Sequence, residues 1–167
     1  QSFYLGEHGW FDKRFMYEES LRTPLVAMGP DIPAGTTCDA MVQNLDMAQT
    51  FLELSGTPEP GDMQGASLAT FMRGGQPATW RDALYYHYYE GEGSVHNVYR
   101  HYGVRTDRFK LIRFHTLDEW EFYDLKNDPA EMVNQYGNPE YEAVIKELGA
   151  RLGRLRKQYA VSESEGL

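Results

Sequence analysis

The chain has 167 residues, one domain's worth at ordinary domain sizes, with 41% hydrophobic and 25% charged residues, a balance that allows a packed core and excludes wholesale disorder. Sixteen Lys and Arg against 25 Asp and Glu leave a net charge of −9, which argues against a nucleic-acid partner, since such binding rests on phosphate neutralisation. No apolar run approaches the ~18 residues of a membrane span, and one cysteine, Cys38, excludes an internal disulfide and a cysteine-cluster zinc site.

The chain opens without Met or a signal segment on a polar-aromatic stretch, Phe3 to Trp10, so a piece of a longer protein is expected. Residues 1–16 read as a Gly-punctuated loop, and Tyr17 to Arg22 as a helical turn ended by the Thr23-Pro24 step. Leu25 to Met28 is a short apolar run that predicts a buried strand of a parallel sheet, and Cys38 to Val42 an edge strand. Asn44 is the expected N-cap of a helix over 45–55, with Leu45, Ala48, Phe51, Leu52 and Leu54 on its core face and Gly56 as its stop. A weaker helix follows over Ser67 to Met72. After Trp80 the runs 83–89, 97–105, 109–115 and 119–125, rich in Tyr, Val, Phe and Ile, predict a four-stranded antiparallel meander. Residues 139–159 predict a long helix, because Tyr141, Val144, Ile145, Leu148, Leu152, Leu155 and Tyr159 fall on one stripe. The division expected is 1–79 and 80–167, with the second part an antiparallel sheet covered by a helix.

His8, Asp12, Lys13, Arg14, Glu18 and Glu19 lie within a dozen residues. Lys13 stands between Trp10-Phe11 and Phe15-Met16, an apolar setting that can hold an ammonium in place to clamp an anion and stabilise charge on a leaving oxygen. A solvated charged loop is the simpler alternative, and Glu18 and Glu19 are expected to cap or pair within their turn. A second cluster, His87, Glu90, Glu92, His96, Arg100 and His101, has spacings that match no usual zinc pattern. Tyr85, Tyr86, Tyr88 and Tyr89 are expected mainly in the sheet core and cover.

The stretch Leu5-Gly6-Glu7-His8-Gly9-Trp10-Phe11-Asp12-Lys13-Arg14, followed by Glu18 to Leu25, resembles the second signature region of the formylglycine-dependent sulfatases of the alkaline phosphatase superfamily. The resemblance extends through Asn44 to Thr50, Gly65-Ala66-Ser67-Leu68, Tyr102 to Ile112 and Glu121 to Glu131, in the family's order. It is similar to the C-terminal part of bacterial N-acetylglucosamine-6-sulfatase and iduronate-sulfatase-like members.

This resemblance implies an α/β fold: the end of the parallel sulfatase core, then the antiparallel sheet and helix. It implies that Lys13 contacts the sulfate and bridging oxygen, that His8 serves in the same site, and that His96, Arg100 and His101 form a sugar subsite. Gln1, which Lys13 follows by twelve positions, aligns with a metal ligand, and calcium is the family's usual cation. The implied substrate is a sulfated glycan such as 6-sulfated N-acetylglucosamine, and the implied partner the N-terminal part of the same enzyme. Ser2 departs from the family's usual Gly, and Cys38 does not stand in the nucleophile signature Cys-x-(Pro/Ala)-(Ser/Gly)-Arg, which is absent. The chain alone is therefore expected to lack turnover, with a partly buried Cys38 thiol and a tendency to self-associate through the apolar segment Leu25 to Met28. A purely packing or binding fragment and a phosphodiesterase of the same superfamily are the alternatives. Family habit implies export to the periplasm, the exterior or the lysosome.

Overall fold

A computed structural model describes residues 3–91 and 93–162. In chain order its elements are β1 (Tyr4–Leu5), β2 (Phe11–Asp12), α1 (Glu18–Leu21), α2 (Asp46–Ser55), α3 (Ala69–Met72), β3 (Ala83–Tyr88), β4 (His101–Thr106), β5 (Phe109–Phe114), β6 (Glu119–Asp124) and α4 (Glu142–Gln158). Short 3₁₀ turns occupy Glu7–Gly9 and Pro139–Tyr141. The chain folds as two compact units: the segment up to Pro24 joins everything from Ala83 onward, and Leu25–Asp82 forms the other.

The first unit is built on the predicted meander, with strand order β3-β4-β5-β6 and every neighbouring pair antiparallel. Alternation along the strands creates two buried faces. On one, Ala83, Tyr102, Val104, Leu111 and Phe122 pack against Leu148 and Leu152 of α4, flanked by Tyr141, Val144, Ile145 and Leu155. The buried Val104, Leu111, Phe122, Leu148 and Leu152 each contribute about 1.5–3 kcal/mol. Asn138 accepts a hydrogen bond from the Glu140 backbone N–H at 3.0 Å, fixing the chain's entry to the helix. Asp124 joins β6 to α4: Arg108 grips it at 2.9 and 2.7 Å, and the Tyr141 hydroxyl donates to it at 3.2 Å. The Arg108 bonds hold the Asp124 carboxyl down at about 2.

The opposite sheet face receives the N-terminal segment. Tyr4, Phe15, Met16 and Tyr17 pack there with Val98, Ile112, Phe114 and Tyr123. Met16 lies against Gly103 of β4, where a Cβ would stand 2.6 Å from the Met16 Sδ and 2.5 Å from the Leu111 carbonyl oxygen. Glycine at 103 is therefore required by close approach.

The Leu25–Asp82 unit is organised around a carboxylate. Asp46, fully buried, is held by Arg81 at 2.5 and 2.6 Å and accepts from the backbone N–H groups of Gln43 and Ala66. Thr50 donates to the Asp46 carbonyl oxygen at 2.6 Å and accepts from Leu68 N–H at 2.8 Å. The buried side of α2 is thus Asp46, Gln49 and Thr50, whereas Leu45, Phe51 and Leu54 are exposed. This inverts the expected face. The helix starts one residue later than expected, with Leu45 rather than Asn44 at the N-cap and no side-chain capping bond; the Asp46 and Met47 N–H groups go to the carbonyl oxygens of Gln43 and Asn44. Gly56 ends the helix as expected, with φ 67°.

Two expected strands are absent among the described residues. Leu25 to Met28 is irregular and exposed, with Val26 at 90% and Met28 at 97%, and Cys38 to Val42 forms no strand. An apolar run becomes a strand only beside another strand, and neither run is paired in either sheet. The Cys38 thiol is exposed rather than partly buried.

Candidate active site

Gly6 (φ 125°) and Gly9 (φ 73°) let the chain turn back between β1 and β2, which pair Tyr4 with Asp12 and Leu5 with Phe11. The expected loop is therefore a small hairpin with His8 at its tip. The tip is closed by Gly9 N–H to the Gly6 carbonyl, Trp10 N–H to Glu7 and Gly6 N–H to Trp10, each 3.0 Å.

His8 turns inward. Its ring stacks on Tyr17 at 4.1 Å, meets Tyr4 edge-on at 6.1 Å, and its Nε2 lies 3.5 Å from a Glu19 carboxylate oxygen. Its side chain is 9% exposed. Tyr17 in turn donates to Glu121 at 2.9 Å. Burial pushes the Glu121 carboxyl up, partly offset by the Tyr17 bond.

Lys13 follows β2 directly and is half-buried. Its ammonium lies 5.0 Å from the centre of the Phe3 ring, and no carboxylate pairs with it among the described residues. Three consecutive carbonyl groups in its segment each receive a hydroxyl: Ser20 donates to Lys13 at 2.7 Å, Tyr86 to Arg14 at 2.9 Å and Tyr4 to Phe15 at 3.0 Å. The Lys13 backbone is thereby fixed while its side-chain charge stays unneutralised.

Arg14 links this hairpin to the segment between β3 and β4. Its guanidinium contacts Asp12 at 3.1 Å and His96 Nε2 at 2.5 Å. A guanidinium only donates, so His96 Nε2 accepts and its proton sits on Nδ1, 2.8 Å from Glu90. Tyr88 also donates to Glu90 at 2.6 Å, and the Tyr88 and His96 bonds together lower the Glu90 carboxyl. Burial raises the Tyr86 hydroxyl to about 12, so it stays a donor to the Arg14 carbonyl at neutral pH.

Of the sequence candidates, Lys13 and His8 share the hairpin, and His96 joins it through Arg14. Arg100 is exposed and runs alongside Gly91. His101 is a correction. It is fully buried, stacked among Phe15, Tyr86, Tyr88 and Phe114, with Nδ1 at 2.8 Å from the Tyr99 carbonyl oxygen. Burial lowers its imidazole to about 4, so it is a neutral core ring with no surface to offer a sugar. Its strand parity, shared with Gly103 and Arg105, carried that signal. Gln1 lies outside the described residues.

Glu18 and Glu19 also depart from expectation, since neither pairs within its own turn. Glu19 faces His8. Glu18 is gripped by Arg105 at 3.2 and 3.1 Å and faces the Lys110 ammonium at 3.0 Å. Burial raises the Glu18 carboxyl, but Arg105 and Lys110 outweigh it and hold it at about 2. Lys110, fully buried, also meets Glu131 at 2.5 Å. Burial pushes the Glu131 carboxyl up, against the pull of Lys110. Lys110 and Glu131 were not singled out by sequence, and Arg14 was named only as a member of the charged cluster without a role. For Lys110 the signal was its parity with Ile112 and Phe114, which points it into the core.

Among the described residues no three His, Cys, Asp or Glu side chains converge as metal ligands. Asp12, Glu18, Glu90 and Glu131 are each engaged by a cation or a hydrogen-bond donor. These residues do not build a metal centre. No helix among them is long and apolar enough to cross a membrane.

Residues 6–158 match the protein family described as N-sulphoglucosamine sulphohydrolase, C-terminal. An N-acetylglucosamine-6-O-sulfatase of Bacteroides thetaiotaomicron is 53% identical over 163 residues, covering 95% of this chain and 29% of that protein. A sulfatase of Formosa agariphila is 31% identical over 150 residues, covering 89% of this chain and 27% of that protein. A solved structure of a protein in complex with its substrate, D-glucosamine-2-N,6-O-disulfate, superposes with a TM-score of 0.92 at 51% identity, over 98% of this chain and 34% of that one. The chain thus spans about a third or less of the length of these relatives.

Proposed function

Because the chain belongs to the N-sulphoglucosamine sulphohydrolase C-terminal family, we propose that it is the C-terminal part of a sulfatase that hydrolyses a sulfate ester on a glycan, with 6-O-sulfated N-acetylglucosamine as substrate. In this reading residues 1–79 end the catalytic core and 80–167 form the C-terminal subdomain. The observation that carries it is Lys13: an ammonium without a carboxylate partner among the described residues, on a backbone fixed by three hydroxyls.

As the S–O bond of a sulfate ester breaks, negative charge gathers on the bridging oxygen. An ammonium already in place stabilises that charge without reorganising. Lys13 supplies this charge and holds the sulfate. Arg14 and His96, joined across 82 positions of sequence, read the sugar hydroxyls, and the exposed Arg100 is a further candidate for that subsite. His8, stacked and mostly buried, shapes the hairpin from within.

The family suggests a metal cofactor. Calcium as its identity and Gln1 as one ligand belong to this proposal, and no step here is routed through them. The nucleophile comes from outside this chain, which carries no formylglycine signature, so the isolated chain has no turnover. The exposed Leu25, Val26, Met28, Phe51 and Leu54 are apolar surface that the remainder of the enzyme would cover, and alone they favour self-association.

The test is sulfate release by the native protein that carries this chain, from N-acetylglucosamine 6-sulfate and from a uronate 2-sulfate. Release from the 6-sulfate at the higher kcat/KM is expected. Release from neither, or hydrolysis of a phosphate diester instead, would contradict the proposal.

A further inference from the structure

Lys13 needs more than a charge, since its ammonium must be held against the bridging oxygen. The Lys13 segment is short, and α1, which follows it, has only four residues, too few to be stable by themselves. Something outside the segment must hold it.

The structure shows what does. Glu131, 113 positions away in the loop after β6, directs one carboxylate oxygen to the Glu18 backbone N–H at 2.7 Å, the first residue of α1. Its other oxygen meets Lys110 at 2.5 Å. Lys110 also faces the Glu18 side chain at 3.0 Å, and Arg105, its cross-strand neighbour in the β4–β5 register, grips the same carboxylate. Glu18, Lys110 and Glu131 thus close a circuit, with Arg105 as a second cation on Glu18. Lys110 and Glu131 have side chains that are 0% exposed. From α1, Ser20 then reaches back to the Lys13 carbonyl at 2.7 Å. Glu131 itself sits at φ 53°, a backbone state that costs energy for a residue with a side chain and persists only where its surroundings demand it.

We infer that Glu131 and Lys110 are positioning residues for Lys13, capping and clamping α1 from the C-terminal sheet so that Ser20 holds the Lys13 backbone in register. This rests on the sulfatase reading of Lys13. It assigns the C-terminal sheet a part in the chemistry: the sheet is the frame on which the cation of the site is mounted.

The experiment uses the native protein that carries this chain, with hydrolysis of N-acetylglucosamine 6-sulfate and amide hydrogen exchange at Glu18 as readouts. Lys13→Ala comes first. An undiminished rate there removes the sulfatase reading and the positioning inference with it. With that rate lost, the double variant Lys110→Met/Glu131→Leu removes one cation and one anion together. It is expected to lower kcat at least tenfold, leave KM within twofold, and speed Glu18 amide exchange at least tenfold. Glu131→Gln, which retains an oxygen to cap α1, should bring kcat back to within threefold of the unaltered protein. Should the double variant not fold, Glu131→Asp serves. It is one methylene too short to reach both partners, and a threefold fall in kcat at constant KM is expected. Unchanged kcat in a folded double variant or in Glu131→Asp, with Lys13→Ala inactive, overturns the positioning role alone.

Discussion

Helices α2 and α4 carry similar apolar stripes and bury opposite sides. In α4 the stripe lies on the sheet, and Leu148 and Leu152 are 5% and 3% exposed. In α2 the stripe faces outward, with Phe51 at 67% and Leu54 at 49%, while Asp46, Gln49 and Thr50 are buried. Periodicity tells that a helix has an apolar side. It does not tell where the surface matching that side comes from. For α4 that surface is the meander of the same chain. For α2 the described residues offer none, and its inner side is held by an ion pair and backbone bonds instead.

Arg81→Met should have the largest effect on the Leu25–Asp82 unit. It strands a buried carboxylate, a loss of about 3–5 kcal/mol, read by denaturant unfolding followed at Trp80, whose indole donates to the Met41 carbonyl. A loss below about 1 kcal/mol would show that this unit is not organised around Asp46. Leu152→Ala, on the conventional helix, should cost about 2–5 kcal/mol through the cavity it leaves, read from the far-UV melting of the sheet and α4 together.

Acid should act next on the unit that contains the sheet. Glu18 and Asp124 are held at about 2, below ordinary values of 4.5 and 3.8. A lowered carboxylate stabilises the fold above its ordinary value, and that contribution is lost as pH falls toward the lowered one. Melting temperature should therefore decline from about pH 4.5 toward pH 2, and the decline should shrink in Arg108→Met. A flat profile over that window would contradict the pairing. The smallest change in stability belongs to Phe51→Ser/Leu54→Ser, expected within about 0.5 kcal/mol because both sites are exposed. In sedimentation of the isolated chain, the same pair should reduce self-association.

Most of the sheet was readable in the sequence because its strands are local, consecutive and joined by short turns. Three of the four match the expected runs to within a residue, β4 begins four residues later than its run, and α4 was marked by seven residues of one stripe. The failures share one cause. Leu25 to Met28 looked like a strand because nothing local says whether a partner exists, and α2 was turned the wrong way for the same reason. In the candidate site, the sequence singles out Lys13 and His96 as residue types in context, and the structure links the His96 segment to the Lys13 hairpin through Arg14, whereas His101 was misplaced because it stands among surface-seeking neighbours yet shares the inward parity of β4. The cluster of Glu18, Arg105, Lys110 and Glu131 joins positions up to 113 apart, and no local pattern announces such a junction.

The most direct measurement is the rate of sulfate release from N-acetylglucosamine 6-sulfate by the native protein carrying this chain, with Lys13 intact and as Lys13→Ala. A fall in kcat/KM of about 10²–10³-fold, the usual scale for losing one positioned charge donor, with the melting temperature unchanged, is the predicted result. A Lys13→Ala protein that still releases sulfate at the unaltered rate would contradict the central claim that this hairpin presents the cation of a sulfatase active site.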